Sequence, residues 1–339
     1  MERSGRRLGW LDFGKAMGIL VVLIVHAGCK WGVVTFYGGM FYMPIFFVAA
    51  GYTYRVREGE TYIQFVRKKA ARLLVPYFGV SGFLWLFFWV KDSVLGGNPA
   101  DLKLPSVLGI LYSRNQMYTS SYQGENPVLL DLLNAPLWFL TALFLTCIYY
   151  GAVSRCKKGY RKGALLGTGL LLSVIWHYHT ELLLPWSLDA VPYFACFFAA
   201  GEMLCKKDGI SRLKQKPAVG ILITAAFFLL SLVNGSVNLS CGVYGRSMIL
   251  YLAVGTSGSV LVFAAGAFLE EWCPRIIQVT ARVGQETLAI LCFHMFLYMW
   301  IGAAAGLLSL PAGVVQAAQI SGSVVLLTGV KRPGKLPHR

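Results

Sequence analysis

Residues 247–269 read SMILYLAVGTSGSVLVFAAGAFL, twenty-three positions in a row without a charged side chain. As an α-helix rising about 1.5 Å per residue, this stretch is roughly 35 Å long, enough to cross a hydrocarbon core about 30 Å thick. Comparable runs recur on both sides of it. Transmembrane helices are expected at 11–30, 38–55, 73–90, 135–153, 164–177, 188–205, 218–234, 247–269, 286–303 and 311–330. A β-barrel would show short alternating segments in place of these continuous runs. The expected fold is an all-α membrane protein, a polytopic bundle of about ten transmembrane helices.

Composition agrees with a chain that is solvated by lipid. Of 339 residues, 56% are hydrophobic and 14% are charged, against about 25% charged in an average soluble domain. The net charge of +16 could suggest nucleic acid, but its distribution argues for topology. With the N-terminus inside, segments on the cytoplasmic side carry 25 Lys and Arg residues and the opposite side carries 5. That asymmetry sets the orientation, with both termini cytoplasmic. The expected partner of the surface is the lipid bilayer, with no nucleic acid. Residues 1–330 are read as one integral-membrane domain and 331–339 as a short basic cytoplasmic tail, with no second soluble domain and no cleaved signal peptide. Nothing in the sequence speaks to oligomeric state. Eight scattered cysteines form no C-x-x-C pair, so neither a disulfide framework nor a zinc site is expected. Segment 92–134 is the longest outer loop, with a length that suits a cover over an outward-facing site.

Ionisable residues within apolar runs are costly, so each is a candidate. Lys15 and His26 stand eleven residues apart in the first run. Eleven residues are close to three helical turns and about 16 Å of rise, so the two side chains share one face. The stripe suits either a snorkelling lysine with a hydrogen-bonded histidine, or a histidine base reached from the cytoplasm. Lys69 and Arg72, three apart at the inner surface, suit either ordinary positive-inside charge or a clamp for phosphates. His294 lies in the ninth run, where it could assist chemistry or hydrogen-bond a neighbouring helix. His177, His179 and Glu181 hint at metal, but the spacing is not H-E-x-x-H and no metal is expected. Asp189 could hold a polar acceptor or cap the sixth helix. There is no P-loop and no G-x-S-x-G elbow.

Across nearly its whole length the chain resembles acyltransferase family three, the integral-membrane O-acyltransferases, and within it the fucose 4-O-acetylase-like branch. The resemblance rests on Leu11-Asp12 through Lys15 to His26, Met43-Pro44-Ile45-Phe46-Phe47 with Gly51-Tyr52, and Arg67 to Pro76-Tyr77. It continues with Leu137-Trp138-Phe139-Leu140, Leu184-Pro185-Trp186-Ser187-Leu188-Asp189, and Val283-Gly284 to His294. Three positions depart from the family pattern. Lys15 and Lys69 stand where arginine is common, and Ala50-Gly51 replaces the usual Ser-Gly.

The resemblance implies an O-acetyltransferase that takes an acetyl group from cytoplasmic acetyl-CoA to a hydroxyl of a sugar, glycan or similar acceptor. His26 would be the general base. Lys15, Lys69 and Arg72 would bind the donor, and Trp138, Asp189 and His294 would line the acceptor side. A bacterial cytoplasmic membrane is the implied location. On residue chemistry alone, a transporter of a small solute or proton using intramembrane Lys15, His26 and His294 fits equally well.

Overall fold

A computed structural model describes residues 7–95, 103–119 and 130–329. In chain order the helices are α1 (Gly9–His26), α2 (Val33–Phe41), α3 (Pro44–Tyr52), α4 (Tyr62–Leu95), α5 (Lys103–Tyr112), α6 (Trp138–Ser154) and α7 (Gly159–His179). They continue with α8 (Val191–Lys206), α9 (Gly209–Gln215), α10 (Pro217–Asn234), α11 (Met248–Trp272), α12 (Pro274–Gln285), α13 (Thr287–Leu307) and α14 (Ala312–Gly329). Among the described residues there is no strand, only two isolated bridges, Tyr118 to Leu182 and Asn238 to Val243. The all-α class holds. Among the described residues eight segments are long and apolar enough to cross a membrane. The expected fifth and sixth spans, α7 and α8, fall outside that set, and α8 is only 16 residues long. The tail 331–339 and the first six residues lie outside the described residues.

Several boundaries differ from the hydropathy reading, and each difference has a local cause. α1 stops at His26 because Gly28 takes a left-handed φ of 72°, which ends a helix. The second span is broken between α2 and α3 at Pro44, which lacks an N–H and sits at a helix start. α4 begins eleven residues before the expected span at residue 73. Thr61 Oγ1 accepts from the Gln64 N–H at 3.3 Å while Gln64 Oε1 accepts from the Thr61 N–H at 3.0 Å. This reciprocal cap starts the helix within the basic segment. The segment 92–134, expected as an outer loop, contains α5, tied to α4 by Tyr77, whose hydroxyl donates to the Ile110 carbonyl at 2.6 Å.

The chain divides into two compact units. One comprises residues 1–38 and 262–339. In it α1 packs on α12 and α13, and α13 packs on α14. A Cβ added at Gly284 would lie 1.8 Å from the Asp12 carbonyl oxygen, so only glycine permits this α1–α12 approach. Trp10 meets Phe263 edge-on at 5.7 Å.

The other unit, residues 39–261, is organised around α8. Its side chains Val191, Tyr193, Phe194, Ala195, Phe197 and Phe198 are buried against α3, α6 and α7. Here too glycine sets the distance. A Cβ at Gly51 would fall 1.9 Å from the Phe198 carbonyl oxygen, and one at Gly201 would fall 2.0 Å from that of Val48. By contrast, α10 buries only Phe227, Ser231 and Asn234 and exposes Ile221, Leu222, Leu229 and Leu232. Such an apolar exterior is stable in lipid and a liability in water.

Candidate functional site

Two histidines that the sequence separates by 268 positions meet inside the first unit. His26 occupies the last turn of α1, and His294 lies fully buried in α13. His26 Nδ1 is 3.0 Å from His294 Nε2, with the rings stacked at 5.1 Å between centroids. His294 Nδ1 lies 2.8 Å from the Ile290 carbonyl. A carbonyl only accepts, so in neutral His294 the proton sits on Nδ1 and Nε2 is the acceptor. The hydrogen-bond network therefore assigns His26 as the donor through Nδ1–H, which leaves the lone pair on His26 Nε2. No described residue engages that nitrogen. Tyr298 abuts the His294 ring edge-on at 5.6 Å and donates to the Leu23 carbonyl at 2.9 Å, which holds α13 to α1 at this level.

Lys15 lies on the same unbroken helix, about 16 Å along the axis from His26. Its ammonium is 2.5 Å from Asp12 Oδ1, and Asp12 Oδ2 accepts from Gln285 Nε2 at 3.3 Å. Arg7 donates to Gln285 Oε1 at 2.7 Å. Lys15 is thus half-buried and paired, held by its own helix at the i, i+3 spacing that Asp12 and Lys15 display in the sequence.

Lys69 and Arg72 fall on consecutive turns of α4, as expected. Lys69 is half-buried with Nζ 5.5 Å from the Phe65 ring centre, and Arg72 is exposed. Among the described residues neither pairs with a carboxylate. The lysine beside them, Lys68, holds Glu60 at 2.8 Å. A further carboxylate, Glu202 of α8, is buried between Lys162 at 2.5 Å and Lys206 at 3.0 Å, and accepts from the Tyr150 hydroxyl. The i, i+4 spacing of Glu202 and Lys206 on α8 marks those two as partners, but nothing in the sequence brings Lys162 or Tyr150 to them.

The opposite end of the second unit holds Asp189, which is neither exposed nor a cap of α8. Its Oδ1 accepts from Arg114 at 2.8 Å and from the Leu184 N–H at 3.1 Å; Arg114 is buried and the Asp189 side chain is largely so. Arg114 also donates to the Leu184 carbonyl at 2.9 Å. The pair braces Trp186 and Ser187, which hold left-handed φ values of 56° and 60°. Non-glycine residues there cost on the order of 1–3 kcal/mol each and persist only when their surroundings impose them. Trp138 starts α6 and packs against Phe139 and Phe194, buried in the same unit.

His177, His179 and Glu181 do not converge. His177 lies edge-on to Tyr244 at 4.9 Å, and His179 Nδ1 donates to the Ile175 carbonyl at 3.0 Å. Burial pushes the Tyr244 phenol above its ordinary pKa, so it remains a neutral packing partner. Among the described residues no group of His, Cys, Asp and Glu has the arrangement of a metal site.

A family model described as an acyltransferase domain matches residues 8–330. No curated protein and no solved structure matches the chain.

Proposed function

Since this chain belongs to acyltransferase family 3 and is a multi-pass membrane acyltransferase, we propose that it moves an acetyl group from acetyl-CoA to a hydroxyl of a sugar, glycan or similar acceptor. The donor is cytoplasmic and the membrane is the cytoplasmic membrane of a bacterium. His26 is the general base. The observation that carries this role is the hydrogen bond from His26 Nδ1 to His294 Nε2, which fixes the tautomer and leaves His26 Nε2 with its lone pair.

In this reading His26 Nε2 takes the proton of the acceptor hydroxyl as that oxygen attacks the thioester carbon. The C–S bond then breaks, and the departing thiolate recovers the proton from His26. His294 stays neutral and accepts the Nδ1–H throughout, so its role is to position the base. Lys69 and Arg72 hold phosphates of the donor, which their lack of carboxylate partners among the described residues supports. Lys15, paired with Asp12, supplies less free charge to an anion than its position in the sequence suggested.

The family match favours the enzyme over the transporter that the intramembrane cations also allowed. Calorimetry with acetyl-CoA on purified protein tests the reading. Wild type and His26→Ala are expected to bind, while Lys69→Ala/Arg72→Ala is expected to lose binding. A well-folded wild type that binds no acetyl-CoA would overturn the donor assignment.

A further inference from the structure

At the end of α6, Arg155 is only partly explained as a helix cap. Its NH1 donates to the Gly151 carbonyl at 2.8 Å, an ordinary way to close a C-terminus. Its guanidinium carbon lies 5.2 Å from the Tyr62 ring centre and 5.1 Å from that of Phe65. Its other terminal nitrogen, NH2, is buried without a well-formed hydrogen bond among the described residues, although the Tyr54 hydroxyl lies close enough to the guanidinium to interact with it. A buried charged donor left unmatched carries the full cost of its lost hydration.

Lys69 approaches the same Phe65 ring, with Nζ at 5.5 Å. The carboxylates nearby are engaged elsewhere, Glu60 by Lys68 and Glu202 by Lys162 and Lys206. Among the described residues neither Arg155 nor Lys69 pairs with a carboxylate. The seat of the ring is itself specified. A Cβ at Gly151 would lie 2.6 Å from Phe65 Cε1 and displace it from α6. Two cations on one aromatic floor, one of them with an unfilled buried donor, suit a compact multivalent anion, and a guanidinium fork suits phosphate oxygens best.

We propose that Arg155 and Lys69 form a phosphate subsite that takes a phosphate group of the coenzyme donor. The subsite rests on the donor assignment made above and adds to it a residue outside the Lys69/Arg72 pair. A charge-assisted hydrogen bond of about 1.5–3 kcal/mol corresponds to roughly a 10- to 100-fold change in affinity.

The test uses full-length protein in nanodiscs of neutral phosphatidylcholine. Acetyl-CoA and phosphate-free acetyl-pantetheine serve as donors for wild type, Arg155→Gln and Arg155→Lys. Arg155→Gln is expected to weaken acetyl-CoA binding about tenfold or more. The same variant should lose at least ten times more kcat/KM on acetyl-CoA than on acetyl-pantetheine, and Arg155→Lys should recover part of the difference. An unchanged acetyl-CoA Kd in Arg155→Gln overturns the subsite while the donor assignment stands. Equal losses on both donors reduce Arg155 to a structural cap. An unchanged Kd together with loss of an anionic-lipid effect, seen on adding phosphatidylglycerol, assigns the same chemistry to a lipid headgroup. If wild type binds no acetyl-CoA, the donor assignment fails first and the subsite falls with it.

Discussion

His294 is as buried and as unusual in its helix as any catalytic residue, yet its surroundings commit both of its nitrogens. One donates to the Ile290 carbonyl and the other accepts from His26. That division of labour separates the two histidines experimentally. His26→Ala should lower the transfer rate about 10²- to 10⁴-fold, the range of a general base, with acetyl-CoA binding retained. His294→Leu removes only the acceptor that orients His26. It should lower kcat by roughly 10- to 10³-fold, and His294→Gln, whose amide oxygen can accept the same hydrogen, should lose less. Equal losses in the two His294 variants, measured at saturating donor, would remove the positioning role. His26 and Lys15 stood out in the sequence because ionisable residues are rare in apolar runs. The contact between His26 and His294 did not, because a separation of 268 positions leaves no periodicity to read. Asp12 could have been found, since its spacing from Lys15 is that of an intrahelical ion pair.

At the scale of single elements, close packing and one buried ion pair carry the testable content. α3 and α8 touch through backbone at Gly51 and Gly201. Gly51→Ala must force them apart, with an expected cost of about 1–3 kcal/mol read as a lower unfolding temperature in detergent. The Arg114–Asp189 pair braces a loop that includes two left-handed residues. Arg114→Leu leaves a buried carboxylate unpaired and should destabilise by roughly 3–5 kcal/mol. Adding Asp189→Leu should recover part of that loss, and a further loss in the double variant would show that the pair is not the brace. Helix identity was legible from hydropathy, but helix ends were not. α4 starts at a Thr61–Gln64 cap and α1 ends at Gly28, and neither device changes the apolar content of its run. The ion pair of Asp189 was not legible for a related reason. Its partner, Arg114, lies 75 positions away in a loop whose composition suggested only a cover.

For the molecule as a whole, the charge asymmetry along the chain predicts which side is which. Cys273 is exposed just beyond α11, at an end assigned to the cytoplasm. A membrane-impermeant maleimide should label it in inverted vesicles and leave it unmodified in intact cells, with Cys273→Ala removing the signal. Labelling from outside would reverse the orientation.

The buried centre of the second unit also bears on biogenesis. α8 has 16 residues, about 24 Å of helix, with a glutamate near one end and a surface made for Val48, Trp138 and Tyr150. Such a segment has little reason to leave the insertion machinery for bare lipid, because it is too short and its best solvent is other helices. Its entry into the bilayer should await α3 and α6, already synthesised, so that integration of this segment is a docking step. A nascent chain ending after α8 but lacking α3 should then expose α8 to proteases that the intact sequence resists.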